Sequence, residues 1–168
     1  MILSSIVAMG KNRVIGKDNI MMWSIPSETE HYRNFVHGHY YIIGRKNFEG
    51  SRKSHIKRLP IILTRQENYQ SDYPVFSNFE RACAFAKDRG ESELFILGGA
   101  DIYQLAMPYI SKLYLSIVDT NQEGDVYFPP HEDYEWNLVD EKMFSVDEKT
   151  PISWKFQLLE KSPKLLKI

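Results

Sequence analysis

The stretch WSIPSETEHYRNF, residues 23–35, carries an acid at a position where a helix would be expected to be apolar. Pro26 suits a first helical turn, and Ser24 and Ser27 are candidates to cap it. At about 100° per residue, with Glu28 set at zero, Phe35 falls at about −20°, Tyr32 at about 40° and Val36 at about 80°. Glu28 therefore shares the apolar stripe, whereas Glu30, near about 200°, takes the solvent side. The commoner use of a glutamate near a helix start is to meet the positive end of the helix dipole, and this phase disfavours that use here. A carboxylate aimed at a core is costly unless a donor meets it or a raised pKa lets it keep a proton. The matching donor is a flat group with two parallel N–H bonds, such as an arginine or an aminopyrimidine. No arginine in the sequence is assured of that place, so a ligand enters as the candidate partner.

Two strand-to-helix junctions suggest a second kind of ligand. FILGGAD, residues 95–101, puts a glycine pair where a bare backbone can approach a ligand and helix N–H groups can face phosphate, although ordinary turns use Gly-Gly as well. GRKNF, residues 44–48, offers the same geometry with two cations added. From Arg45 to Arg58 there are six basic residues against one acid, on a chain whose formal net charge is −1. Such a segment suits a solvated face, a nucleic-acid patch or the seat of a small polyanion. Together the two junctions favour a bound polyphosphate. Other chemistries lack their residues. The sequence has no G-x-G-x-x-G or phosphate-binding G-x-x-x-x-G-K-[ST] loop, no H-E-x-x-H motif, no G-x-S-x-G elbow and no histidine cluster at metal-ligand spacing, so no metal site is expected.

These residues need rigid elements to position them. MILSSIVAM fits a buried first strand, and the loop GKNRVIGKDNIMM leads to the helix of Glu28, which should end near Gly38. YYIIG, LPIILT and YPVFS fit further strands, with a basic helical turn or loop between the first two. NFERACAFAKDRG suits a helix capped by Asn78 and stopped at Gly90. ELFILGG, ADIYQLAMP and KLYLSIVDT follow as strand, helix and strand, and EWNLVDEKMF with PISWKFQLLEK suits a terminal antiparallel pair. Strands alternating with helices imply an α/β fold with a largely parallel sheet, whose ligands sit beyond the carboxyl ends of its strands. At 168 residues, with 43% hydrophobic content, the chain suits a single domain spanning 1–168. No apolar run approaches the ~20 residues of a membrane span, and no signal sequence opens the chain, so a cytoplasmic location is expected. Cys83, the sole cysteine, forms no internal disulfide and fits a buried helix position.

Taken in order, NRVIGKDN, Trp23 with Pro26-Ser-Glu28, IIGRKNFE, LPIILTR, FILGGADIY and EGDVYFP resemble the signature blocks of dihydrofolate reductase, and the chain is identified as a member of that family. The resemblance implies a central mixed eight-stranded sheet flanked by helices, with NADPH and dihydropterin meeting in a cleft. Glu28 matches the buried acid that grips the pterin's 2-amino and N3 edge, and Trp23 the active-site tryptophan beside a mobile loop running roughly from Gly10 to Ser24. Ile6, Ala8 and Leu97 match the ring pocket, Tyr32 and Phe35 the substrate wall, Ser116 a hydroxyl supporting acid and pterin, and Arg58 the partner of the glutamyl α-carboxylate. On the cofactor side the resemblance points to Ala8, Ile15 and Gly16, to Gly44, Arg45, Lys46 and Asn47, and to Thr64 and Arg65 at the adenosine 2′-phosphate. Gly98 and Gly99 match a glycine pair usually joined by a cis peptide, followed by Ala100, Asp101 and Ile102; Tyr103 resembles a helix tyrosine near the nicotinamide. Asp125 matches an acid that holds the loop. Met22, Asn47, Ser51, His55 and Asp101 depart from the usual pattern.

The implied reaction is NADPH-dependent reduction of 7,8-dihydrofolate, with hydride passing to pterin C6 and a proton to N5. Glu28, at the N3 edge, orients and polarises the ring while a water supplies the proton. The same resemblance implies a monomer, antifolate inhibitors as candidate ligands, and neither nucleic-acid nor membrane partners. Two other readings stand beside it: a pyrimidine reductase of riboflavin synthesis, disfavoured by Trp23, Glu28 and Arg58, and a nucleotide- or RNA-binding module. Only Phe48 interleaves the basic segment, which is thin for base stacking.

Overall fold

The computed structural model describes residues 1–18, 20–51 and 59–162. Its strands are β1 (Ile2–Gly10), β2 (Val14–Gly16), β3 (Tyr40–Gly44), β4 (Leu59–Leu63), β5 (Val75–Phe76), β6 (Glu93–Ile96), β7 (Lys112–Val118), β8 (Val126–Tyr127), β9 (Trp136–Phe144) and β10 (Trp154–Lys161). The helices are α1 (Pro26–Val36), α2 (Arg45–Gly50), α3 (Phe79–Lys87) and α4 (Ala100–Ala106). Eight strands form one sheet in the order β5-β4-β3-β6-β1-β7-β10-β9. All neighbours from β5 to β7 run parallel, while β10 is antiparallel to both β7 and β9. The mixed, mostly parallel sheet with an antiparallel carboxyl end is the architecture expected from the sequence.

Central parallel strands are covered on both faces and so carry continuous apolar runs. Tyr41, Ile42 and Ile43 of β3, and Ile61 and Ile62 of β4, are buried accordingly. One core packs Val7, Ile42 and Ile96 under α3 and α4, through Ala82, Tyr103 and Ala106. The other packs Ile6, Ala8, Phe95, Tyr114 and Phe156 under α1 and α2, through Val36 and Phe48. The edge strand β9 is exposed along most of its length.

Helix α3 begins as its sequence indicates, with the Asn78 side chain accepting from the Arg81 N–H at 2.8 Å, and Gly90 lies beyond its end at φ +77°. The start of α1 differs from expectation. Its N-cap is Ile25 with no side-chain cap bond, so neither Ser24 nor Ser27 caps it. The Ser27 hydroxyl lies 2.7 Å from that of Thr150 and accepts the Trp154 indole N–H at 3.0 Å. Long-range partners have taken the group a local cap would use, and Pro26 meets the first turn by needing no N–H acceptor. The strand expected in YPVFS is reduced to Val75–Phe76.

Chain order positions the site. β1 leads through α1 to β3, and β6 later fills the gap between them before α4 carries the chain to β7 on the far side of β1. The strand order thus reverses beside β1, which opens a crevice at the carboxyl ends of β1, β3 and β6. The loop leaving β1 is fastened by a small second sheet of β2 and β8. The Asp125 N–H donates to Gly16 O at 3.1 Å, and the Asp125 carboxylate accepts from the Asp18 N–H at 3.0 Å.

Candidate active site

The crevice is a cleft of about 1410 Å³. The end of β1 gives it Ile6, Val7 and Ala8, and α1 gives Glu28, Thr29, Tyr32 and Arg33. The loop contributes Ile15, Gly16, Ile20 and Met21, and the β2–β8 clasp Asp125, Val126 and Tyr127. Beyond β3 come Gly44, Arg45, Lys46, Asn47 and Ser51, beyond β4 Thr64, Arg65 and Gln66, and beyond β6 Leu97, Gly99, Ala100, Asp101, Ile102 and Tyr103. Residues drawn from four strand ends thus face one space.

Four candidates lie off that wall. Trp23 and Ser116 are buried, Phe35 packs beneath α1 against Tyr114 and Phe156, and Gly98 sits behind Gly99 against the Tyr103 ring. Arg58 and His55 lie outside the described residues. Sequence reasoning passed over Thr29, Arg33, Gln66 and Tyr127. Thr29 and Arg33 stand four residues apart on α1, on one flank at about 100° and 140° from Glu28, which was the available signal; Gln66 and Tyr127 carry none without the fold.

Glu28 is 8% exposed, as its phase on the helix predicts, and Glu30 is exposed. Burial raises the Glu28 pKa from 4.5 to about 7, while a hydrogen bond from the Ser116 hydroxyl works in the opposite direction. Near neutral pH the carboxyl is therefore poised between its two forms, with the Ser116 hydroxyl behind it and the cleft in front. The Trp23 indole N–H is buried without a hydrogen-bond partner among the described residues. A buried polar atom of that kind is normally satisfied by water or ligand. Tyr103 is held by donating its hydroxyl to Ile6 O at 2.8 Å. Burial, with Tyr32 and Glu28 nearby, drives its phenol pKa far upward, so it stays neutral.

The glycine pair forms a cradle at the opposite side. The Gly98–Gly99 peptide is cis, and Gly98 has φ +89°. A Cβ on Gly98 would lie 2.5 Å from Tyr103 Cε2, and one on Gly99 would lie 3.2 Å from Asn47 Nδ2. The Gly44 N–H donates to Gly98 O at 2.7 Å, tying the two junctions together. Arg45 pairs with Glu49 at 3.0 Å and lies 5.9 Å from the Tyr69 ring centre. Lys46 and Arg65 are exposed cations on the wall, with the Asp101 carboxylate on the same cleft.

The arrangement can hold a flat heterocycle by a donor pair at Glu28 and a polyanion along the glycine and cation side, bringing the two together in one cleft. No group of three or more metal-ligating side chains occurs among the described residues. The comparisons agree with this chemistry. The family model for dihydrofolate reductase matches residues 2–161. Dihydrofolate reductase of Staphylococcus haemolyticus is 38% identical over 160 residues, covering 95% of each chain. That of Bacillus subtilis (strain 168) is 32% identical over 160 residues, covering 95% of this chain and 94% of its own. A solved structure of dihydrofolate reductase from Enterococcus faecalis, complexed with NADP(H) and RAB-propyl, superposes with a TM-score of 0.88 at 26% identity, covering 96% of this chain and 97% of that one.

Proposed function

The chain belongs to the dihydrofolate reductase family, and from that premise we propose how its cleft carries out the family's NADPH-dependent reduction of 7,8-dihydrofolate to tetrahydrofolate. The observation that carries the reading is the buried Glu28 carboxyl on one side of a cleft whose other side is a side-chain-free glycine cradle beside cations.

Ionised Glu28 accepts the 2-amino and N3 hydrogens of the pterin, a bidentate pair whose strength grows as the cleft excludes water. Ser116 steadies that carboxylate from behind. Tyr32 walls the pterin and aminobenzoyl portions, with Phe35 as its support. Ile6, Ala8 and Leu97 flank the ring, and Trp23 offers its unpaired N–H to a water near the acid. Glu28 stands away from N5, so it orients and polarises the ring while water delivers the proton. Arg58 pairs with the glutamyl α-carboxylate.

The residues present fit NADPH. A side chain at Gly99 would press on Asn47, so the bare backbone leaves room for close approach by a phosphate-bearing ligand. Gly44, Lys46, Asn47, Gly99, Ala100 and Ile102 would hold the diphosphate portion, Thr64 and Arg65 the 2′-phosphate, and Ile15, Gly16 and Tyr103 the nicotinamide end. When bound, NADPH supplies the hydride that reduces pterin C6. Tyr103, neutral and fixed to Ile6 O, keeps the end of β1 in register with the glycine pair. Asp125 holds the loop of Gly16 against the cleft by the bond from Asp18.

A single domain, residues 1–168, carries both binding regions, and the enzyme acts as a cytoplasmic monomer that binds antifolate aminopyrimidines through the same fork at Glu28. No helix among the described residues is long and apolar enough to cross a membrane. Mixing the purified protein with NADPH and dihydrofolate should deplete nicotinamide absorbance; no depletion would overturn the reading.

A further inference from the structure

His31 follows Glu28 by three residues on α1, and it points into an aromatic box. Its ring centre lies 4.5 Å from Phe156, 4.9 Å from Phe35, 5.4 Å from Trp154 and 5.5 Å from Phe144, each ring meeting it edge-on. The box is made of two stacked pairs. Phe144 lies on Trp154 at 3.9 Å and 4°, and Phe35 on Phe156 at 5.5 Å and 20°. The imidazole Nε2 is buried there with no hydrogen-bond partner among the described residues.

The box joins two parts of the site. Phe156 of β10 stands directly across from Ser116 of β7, the residue whose hydroxyl bonds Glu28. His31 therefore reaches the acid along two routes: through one turn of α1, and through Phe156 to the strand carrying Ser116. A flat ring thus fills the space between helix and hairpin. We propose that His31 is a positioning residue for Glu28, its uncharged ring wedging α1 against the β9–β10 hairpin, and that protonating the ring loosens this seat and weakens dihydropterin binding. The second half rests on the reductase reading given above.

Charge placement supports a neutral ring. Burial lowers the His31 pKa from its ordinary 6.5; Lys142 on β9 lowers it further, and Asp140 on the same strand opposes. Lys142 lies over Phe144, 4.8 Å from its ring centre. α1 presents Glu28 one turn back and the exposed Glu30 and Arg33 on its outer side. β10 presents Trp154 and Phe156 to the ring, and the neutral phenol of Tyr114 on β7 stands behind Phe35. Among the described residues Nε2 meets rings and no hydrogen-bond partner, so charging the imidazole disfavours the packed arrangement.

The test compares wild type with His31→Phe, which keeps a flat ring and removes the proton, over pH 5.0 to 7.5. The ratio of the two enzymes' KM for dihydrofolate cancels the titration of Glu28 that both share. The wild-type KM should rise about three- to tenfold relative to the variant as pH falls, as expected when a fraction of the binding-competent state is lost, while the kcat ratio stays flat. Parallel KM profiles would overturn the proposal, and should His31→Phe not fold, His31→Leu takes its place. A second readout is independent of turnover: NMR titration of the wild-type protein should show the Glu28 Cδ and Phe156 ring signals moving with the His31 midpoint. If neither signal follows His31, the proposal fails even with an active reductase. If both follow it and no NADPH is consumed, the positioning role stands and the reductase reading falls.

Discussion

Replacing Glu28 with glutamine separates what the buried acid costs the fold from what it does for the reaction. Its native pKa is raised from 4.5 to about 7 because burial disfavours the charged form more than the Ser116 hydrogen bond favours it. In the window from 4.5 to 7 the folded protein therefore holds a proton that the unfolded chain has released. By linkage, this group's contribution is fully present below pH 4.5 and is lost as pH rises through about 7. At about 1.4 kcal/mol per pKa unit, ionised Glu28 costs the ligand-free fold about 3 kcal/mol above pH 7. Glutamine matches the shape of the protonated acid and never ionises. Glu28→Gln should thus equal wild type in stability near pH 4 and exceed it by about 3 kcal/mol at pH 8, roughly 6–12 °C in Tm for a chain of this length. Turnover near neutral pH should drop by roughly 10²- to 10⁴-fold. Paired thermal melts from pH 4 to 8 without ligands read the first effect. A Tm difference that does not grow with pH would refute the desolvation argument, whatever happens to activity.

Gly98→Ala should destabilise by at least about 1–3 kcal/mol, since φ +89° strains any L-residue and the new Cβ would meet Tyr103; an unchanged urea midpoint would argue against it. Ser27→Ala should cost about 1–3 kcal/mol by leaving the buried Trp154 indole N–H without its acceptor, read by the same unfolding curves. NADPH should be preferred over NADH by about 10- to 1,000-fold, with the gap narrowing in Arg65→Ala and in high salt. Because Glu49 already engages Arg45, Arg65 should dominate that preference; equal kcat/KM for the two cofactors in wild type would dismiss the phosphate role.

Much of the fold was legible because local pattern and burial agree. The unbroken apolar runs of β3 and β4, the Asn78 cap and the phase of Glu28 each depend on residues within a few positions, and each stands in the structure as the sequence indicates. The glycine pair showed where a backbone must lie bare, but the sequence could not say what stands against it; Tyr103 and Asn47 do. Tertiary structure alone decided which partners distant groups found. Ser27 looked like a cap because serine beside a proline-started turn usually is one, yet Thr150 and Trp154, more than 120 positions away, hold its hydroxyl. The two-residue strands β5 and β8 are too short to carry a period and exist only through their neighbours β4 and β2. The box around His31 combines α1, β9 and β10, so no window of sequence contains it. Periodicity tells a side chain whether it will leave water, because that depends on its own helix or strand; what it meets there depends on chain closure over the whole length, which only the packed molecule fixes.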